Sequence, residues 1–177
     1  TRQALLSHQS PHIYVIGPPS AVSNAVLHQL RRYGKVKRVA GPGPAATSVA
    51  FAEYRDPPCT YGQACAHVPG SFGWAIRSPG HGYVLLNIAQ PLTAAAAAPL
   101  SASGSYGPAL LLDSADRFPK PVLDYFLNYA TPGYTQEGPT AAVYNHGWVI
   151  GDQGAVSVGV QAEVDSLLEA VPQTSAK

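Results

Sequence analysis

Methionine is absent from this chain of 177 residues, cysteine and tryptophan occur twice each, and only 12% of residues are charged. An ordinary soluble domain carries about a quarter charged residues, so this surface is built largely from small and neutral side chains. Eleven basic and ten acidic residues leave a formal charge of +1, which gives no net field to draw in nucleic acid or a membrane. A long apolar run is missing too. The uncharged segment from Ser78 to Leu112 is broken by Pro79, Gly80, Asn87, Gln90, Pro91, Pro99, Gly104 and Pro108. It therefore holds no apolar helix of the roughly 20 residues needed to span a bilayer, and the chain reads as soluble. It opens on Thr1 without an initiator methionine or a visible signal peptide, the pattern of a processed or truncated chain.

Catalytic and cofactor spacings are also missing. The nearest approach to a phosphate cradle is "AGPGPAA", whose prolines remove amides that a phosphate would need. The six histidines (8, 12, 28, 67, 81 and 146) show no H-E-x-x-H or H-x-H spacing, and no serine sits in G-x-S-x-G. No cofactor and no metal are expected, and binding is favoured over catalysis, with a small α/β enzyme of unmarked site as the least favoured alternative.

What is present begins with turn formers, 17 glycines and 17 prolines. The two cysteines stand in "CTYGQAC", too far apart for the tight C-x-x-C of zinc or redox sites. A local Cys59–Cys65 disulfide, contributing about 2 kcal/mol, would place the chain outside the cytoplasm. Two free core thiols are the plainer alternative.

The sequence also repeats itself. "VIGPPSAVSNAV" (15–26) returns 134 positions later as "VIGDQGAVSVGV" (149–160), with Gly17 matching Gly151, Ser23 matching Ser157 and Val26 matching Val160. Each copy reads as a strand, a glycine turn and an amphipathic helix. The spacing predicts strands at 12–17, 35–40, 82–87, 108–113 and 143–151. Helices are expected at 21–30 with Ser20 as N-cap, at 44–54, at 91–102 with Pro99 a possible early stop, at 119–129 and at 155–170. Strands apolar on both sides, alternating with helices, predict an α/β fold: a parallel β-sheet flanked by helices on both faces, about five βα units in one domain spanning 1–177.

At these matched residues the chain resembles the cell wall-binding repeat 2 family of bacterial surface proteins. "RVAGPGPAATSVAFA" (38–52) is similar to the opening of that repeat. "YVLLNIAQPLTAAAAAPLSASGSYGPALLL" (83–112) is similar to its middle and "GWVIGDQGAVS" (147–157) to its close. "IYVIGPPSAVSNAVLHQL" (13–30) would then close a preceding repeat. The division expected from this resemblance is a tail over 13–33, one complete repeat over 37–170 and an inserted loop over 55–80. Gly43, Pro44 and Ala45 stand where the family has an acidic and aromatic motif, and its F-P-D is replaced near Gln90, Pro91 and Thr93. The resemblance implies a three-layer, Rossmann-like or Toprim-like fold, an extracellular location on the cell wall, and a non-catalytic role. The implied partners are an anionic wall polysaccharide and neighbouring repeats or further copies of the chain.

Candidate ligand residues fall in two groups. Arg31, Arg32, Lys35, Lys37 and Arg38 place five cations in eight positions, either a docking patch for an anionic polymer or a helix C-terminus followed by a solvated turn. Turns at the carboxyl ends of parallel strands are where ligands approach, which adds Ser20, Asn87, Gln90, Asp113, Ser114, Arg117 and Asp152. For "LLLDSADR" the alternative is structural: Asp113 or Ser114 caps the next helix while Asp116 pairs with Arg117. The rings of Tyr54, Tyr61, Phe72, Trp74, Tyr106 and Tyr134 fall in or beside these loops, where they could stack on sugars or simply anchor the chain. A structural subunit that assembles into a surface layer or filament is the competing reading.

Overall fold

The computed structural model describes residues 2–8, 10–56, 71–102, 107–130, 133–134, 144–169 and 171–172, with backbone alone at 130, 133–134 and 171–172. Every apolar run read as a strand forms one. After a short helix α1 (Arg2–Leu6) come β1 (His12–Ile16), α2 (Asn24–Leu30), β2 (Lys35–Val39) and α3 (Pro44–Glu53). Then follow β3 (Gly82–Asn87), α4 (Pro91–Ala102), β4 (Ala109–Leu112) and α5 (Lys120–Tyr125), which continues as a π-helical turn at Phe126–Ala130. A two-stranded pair, β5 (Gly133–Tyr134) and β7 (Val171–Pro172), brackets β6 (His146–Ile150) and α6 (Val158–Leu168). α4 runs through Pro99 to Ala102 rather than ending there.

The strands are parallel, as their apolar character demands, and hydrogen-bond in two main groups: β1 with β2, and β4–β3–β6 with β3 in the centre. Between the groups runs the end of the 55–80 loop. Arg55 and Gly73 form an antiparallel bridge, and Phe72 stacks on Tyr14 of β1 while also facing the side chains of β3 and β4.

Alternation along β3 sorts the core. Tyr83 and Leu85, with Leu110 and Leu112 of β4, face α3, α5 and α6 through Ala52, Val122, Phe126, Val156 and Val160. On the opposite face Val84 and Leu86 pack against Ala94, Ala97 and Leu100 of α4. Helices thus cover both faces, and each fully buried Leu, Val or Phe contributes about 1.5–3 kcal/mol.

The internal repeat is one turn built twice. Gly17 and Gly151 hold φ of +125° and +132°, a region open to glycine and costly for other residues. A Cβ on Gly151 would also meet the Ala155 Cβ at 2.7 Å. After each glycine, one carbonyl accepts two amides: Pro18 from Ala21 and Val22, and Asp152 from Ala155 and Val156, all at 3.0 Å. The helix caps match as well. Ser23 Oγ accepts from the Val26 amide at 3.3 Å and Ser157 Oγ from the Val160 amide at 3.4 Å. Ser20, expected as the first cap, is instead an exposed turn residue. The turn that starts at Pro18 uses residues through 22, so α2 begins three residues later and its cap falls to Ser23.

Candidate functional site

The carboxyl ends of β3, β4 and β6 lie together because the strands are in register, Leu86 opposite Ile150 and Asn87 opposite Leu112. Asn87, 3% exposed, ties these ends to one another. Its Nδ2 donates to the Ala155 carbonyl at 2.8 Å and its Oδ1 accepts from the Ala89 amide at 2.9 Å. Asp152 Oδ1 accepts from the amides of Gly154 and Ala155, both at 3.0 Å. The Ser157 amide reaches across to the Ala115 carbonyl at 2.8 Å. The loops from 87, 113 and 152 therefore converge, but Asn87 and one oxygen of Asp152 are occupied in holding the loops.

The 113–117 loop resolves differently from its sequence alternative. α5 is capped by Pro119 without a side-chain bond, because Pro119 and Pro121 start the helix well after the acidic pair. Asp113 pairs with Arg117 at 3.7 Å on the surface, a spacing of four that brings the two together where Asp116 beside Arg117 does not. Ser114 Oγ accepts from the Asp116 amide at 3.2 Å. The Gln90 side chain is exposed, and the Gln90 backbone carbonyl accepts from the Thr93 hydroxyl at 2.7 Å. Among the described residues no cluster of three metal-ligating side chains forms.

The basic segment is not one patch. Along β2 successive side chains alternate faces, so Lys35 and Lys37 point away from Val36 and Arg38. Arg38 turns back over the first glycine turn, donating from Nη1 to the Gly17 carbonyl and from Nη2 to the Val22 carbonyl, both at 2.6 Å. In the second copy of the turn the carbonyl matching Val22 belongs to Val156, and there Gln161 Nε2 supplies the bond at 2.9 Å. Arg31 and Arg32 follow α2 at the amino end of β2, exposed like Lys35. Lys37 Nζ stands 5.9 Å from the centre of the Tyr54 ring.

An arrangement that the sequence did not announce surrounds Asp56. The Tyr54 hydroxyl donates to Asp56 Oδ1 at 2.6 Å, the Tyr14 hydroxyl donates to Oδ2, and the Phe72 amide donates to Oδ2 at 3.1 Å. Burial pushes the Asp56 carboxyl up, but these three donors and nearby His12 outweigh it and hold it below its ordinary range. Burial, with the bond to Asp56 and its charge, pushes Tyr14 up to about 12 and raises Tyr54 as well. Partners 42 and 16 residues away leave no spacing signal in the sequence. The Tyr14 and Phe72 rings stack at 4.1 Å. Beside them a cleft of about 630 Å³, lined by Phe51, Phe72, Trp74, Leu86, Ala98 and Leu111, has the volume of a small-molecule site. Of the other rings noted in the loops, Tyr61 and Tyr106 lie outside the described residues, as do Cys59 and Cys65, and Tyr134 is described by its backbone alone.

No family model and no curated protein matches the chain. A solved structure does. The chain shares its fold with Cwp8 from Clostridium difficile, a cell wall protein, at a TM-score of 0.57 and 14% sequence identity. The match to Cwp8 covers 97% of this chain and 23% of that one, so this chain spans less than a quarter of the length of Cwp8. Identity this low carries the α/β architecture across and leaves the roles of single residues to their own geometry.

Proposed function

We propose that the chain is a non-catalytic module of a bacterial cell-surface protein that attaches it to the cell wall by binding an anionic wall polysaccharide. On this reading residues 13–33 end one repeat, 37–170 form the next, and both work outside the cytoplasm. The observation that carries the reading is the exposed basic group. Arg31, Arg32 and Lys35 are solvent-facing and have no acidic partner among the described residues, and exposed Lys37 stands beside them in sequence. The shared fold with a cell wall protein supports the setting. A polymer with regularly spaced negative charge would be drawn to such a surface at low ionic strength and released as salt screens the attraction.

The deciding measurement is binding of purified wall polysaccharide across a salt series, by wild type and by a variant with Arg31, Arg32, Lys35 and Lys37 all changed to Gln. Salt-sensitive binding that the variant loses supports anchoring; no binding at low salt by the wild type overturns it. One feature favours assembly into a surface layer as a second reading: α4 turns an apolar side outward, with Leu92 85% exposed. Concentration-dependent, open-ended growth without polymer would support that reading.

A further inference from the structure

α1 and α2 together enclose a small groove of about 220 Å³. Arg2, Arg32, Gln29 and Tyr33 line it with donors, and Leu5 and Leu30 add apolar surface. The surrounding sequence is unusual in charge. Through position 52 the chain carries six cations (Arg2, Arg31, Arg32, Lys35, Lys37 and Arg38) and no acidic residue, whereas the remainder carries five cations and all ten acids. The first two acids after that segment are engaged elsewhere, Glu53 with Arg77 at 3.6 Å and Asp56 with its tyrosines. Among the described residues, then, no carboxylate of this chain meets either arginine of the groove.

Two guanidinium forks, an amide and a phenol beside apolar surface are the groups that recognise a sugar bearing a negative charge. The forks match a carboxylate or phosphate, Gln29 and Tyr33 offer hydrogen bonds to hydroxyls, and the leucines suit the apolar face of a pyranose ring. The volume is below the roughly 300 Å³ at which whole small-molecule pockets begin, which suits one unit of a longer chain. We infer that this groove is the subsite for one anionic sugar unit of the wall polymer, with Arg2 and Arg32 holding its charge. The assignment rests on the wall-polymer reading above and makes part of it specific. The anion is a carboxylate or a phosphate, and two probes separate these sources.

The test titrates the full chain with an oligoglucuronate and, separately, with a sugar phosphodiester oligomer of equal length, using an uncharged oligoglucose as control. Wild type binds one of the charged oligomers and not the neutral one. Arg2→Gln and Arg32→Gln each weaken that binding about tenfold, the loss of one charge-assisted contact. Arg2→Lys and Arg32→Lys, which keep charge without the fork, recover part of it, and Lys120→Gln, an exposed cation of α5 paired with Asp124 and outside both the groove and the basic group, changes it less than twofold. Equal weakening by Lys120→Gln, or equal binding of the neutral oligomer, overturns the groove assignment. Polysaccharide binding untouched by both arginine-to-glutamine changes also sinks the groove while leaving wall attachment standing. No polysaccharide binding by wild type removes both.

Discussion

Replacing Arg38 with alanine is expected to destabilise the fold while leaving polysaccharide binding largely unchanged. The guanidinium makes two hydrogen bonds of 2.6 Å to the carbonyls of Gly17 and Val22, and a longer one of 3.4 Å to Asn24. A hydrogen bond to a charged group contributes about 1.5–3 kcal/mol. Arg38 is only half-buried, so water would re-solvate the freed carbonyls and the two short bonds together amount to about 2–3 kcal/mol. In a chain of this size each kcal/mol moves the melting point by about 2–4 °C, so a drop of about 5–10 °C is expected. Urea unfolding followed by tryptophan fluorescence, with thermal melts by circular dichroism, measures it. Arg38→Lys should recover about half, because one ammonium replaces a fork that serves two carbonyls at once. A melting point within about 1 °C of wild type, combined with lost polysaccharide binding, would refute this reasoning and return Arg38 to the ligand surface.

Three further outcomes follow from the local geometry. Ser23→Ala and Ser157→Ala should each cost about 1 kcal/mol by removing an N-cap, while Ser20→Ala should stay within about 0.5 kcal/mol of wild type; denaturant midpoints compare the three. Pro99→Ala should stabilise by about 2 kcal/mol, because the mid-helix ring costs about 3 kcal/mol and its restriction of the unfolded chain returns up to about 1; an unchanged melting point would contradict a helix running through position 99. The third concerns pH. The folded Asp56 carboxyl lies below its ordinary 3.8, so its contribution is present above that value and is lost as pH falls through the lower folded one. Folded Tyr14, raised to about 12, contributes fully below 10 and loses its contribution as pH rises through 12. Urea midpoints against pH should therefore lose part of their acid dependence in Asp56→Asn and part of their alkaline dependence in Tyr14→Phe.

The elements were legible because each rests on local pattern. "GYVLLN" is apolar without alternation from Tyr83 to Leu86, the pattern of a strand covered on both faces, and β3 occupies those same residues. The repeated turn was legible for the same reason: a glycine with positive φ, then a serine cap six residues later, leaves a mark in any sequence that uses it. The first cap was misplaced because Ser20 and Ser23 are equally good cap residues, and the choice between them depends on how far the Pro18 turn extends.

Side-chain partnerships across the fold were not legible. Arg38 reads as one member of a basic run, and nothing in "KVKRVA" says that its fork closes onto carbonyls 16 and 21 residues earlier. Asp56 reads as a loop acid before a proline, and its three donors come from β1, the end of α3 and the far side of the loop. Arg2 lies 30 positions from Arg32 and meets it only in a groove between two helices. The sequence by itself determined where strands, helices and glycine turns form, because periodicity and backbone freedom act over a few neighbouring residues. Tertiary structure alone decided which cations hold the fold and which face solvent, because charge and hydrogen-bond partners are chosen by proximity in space.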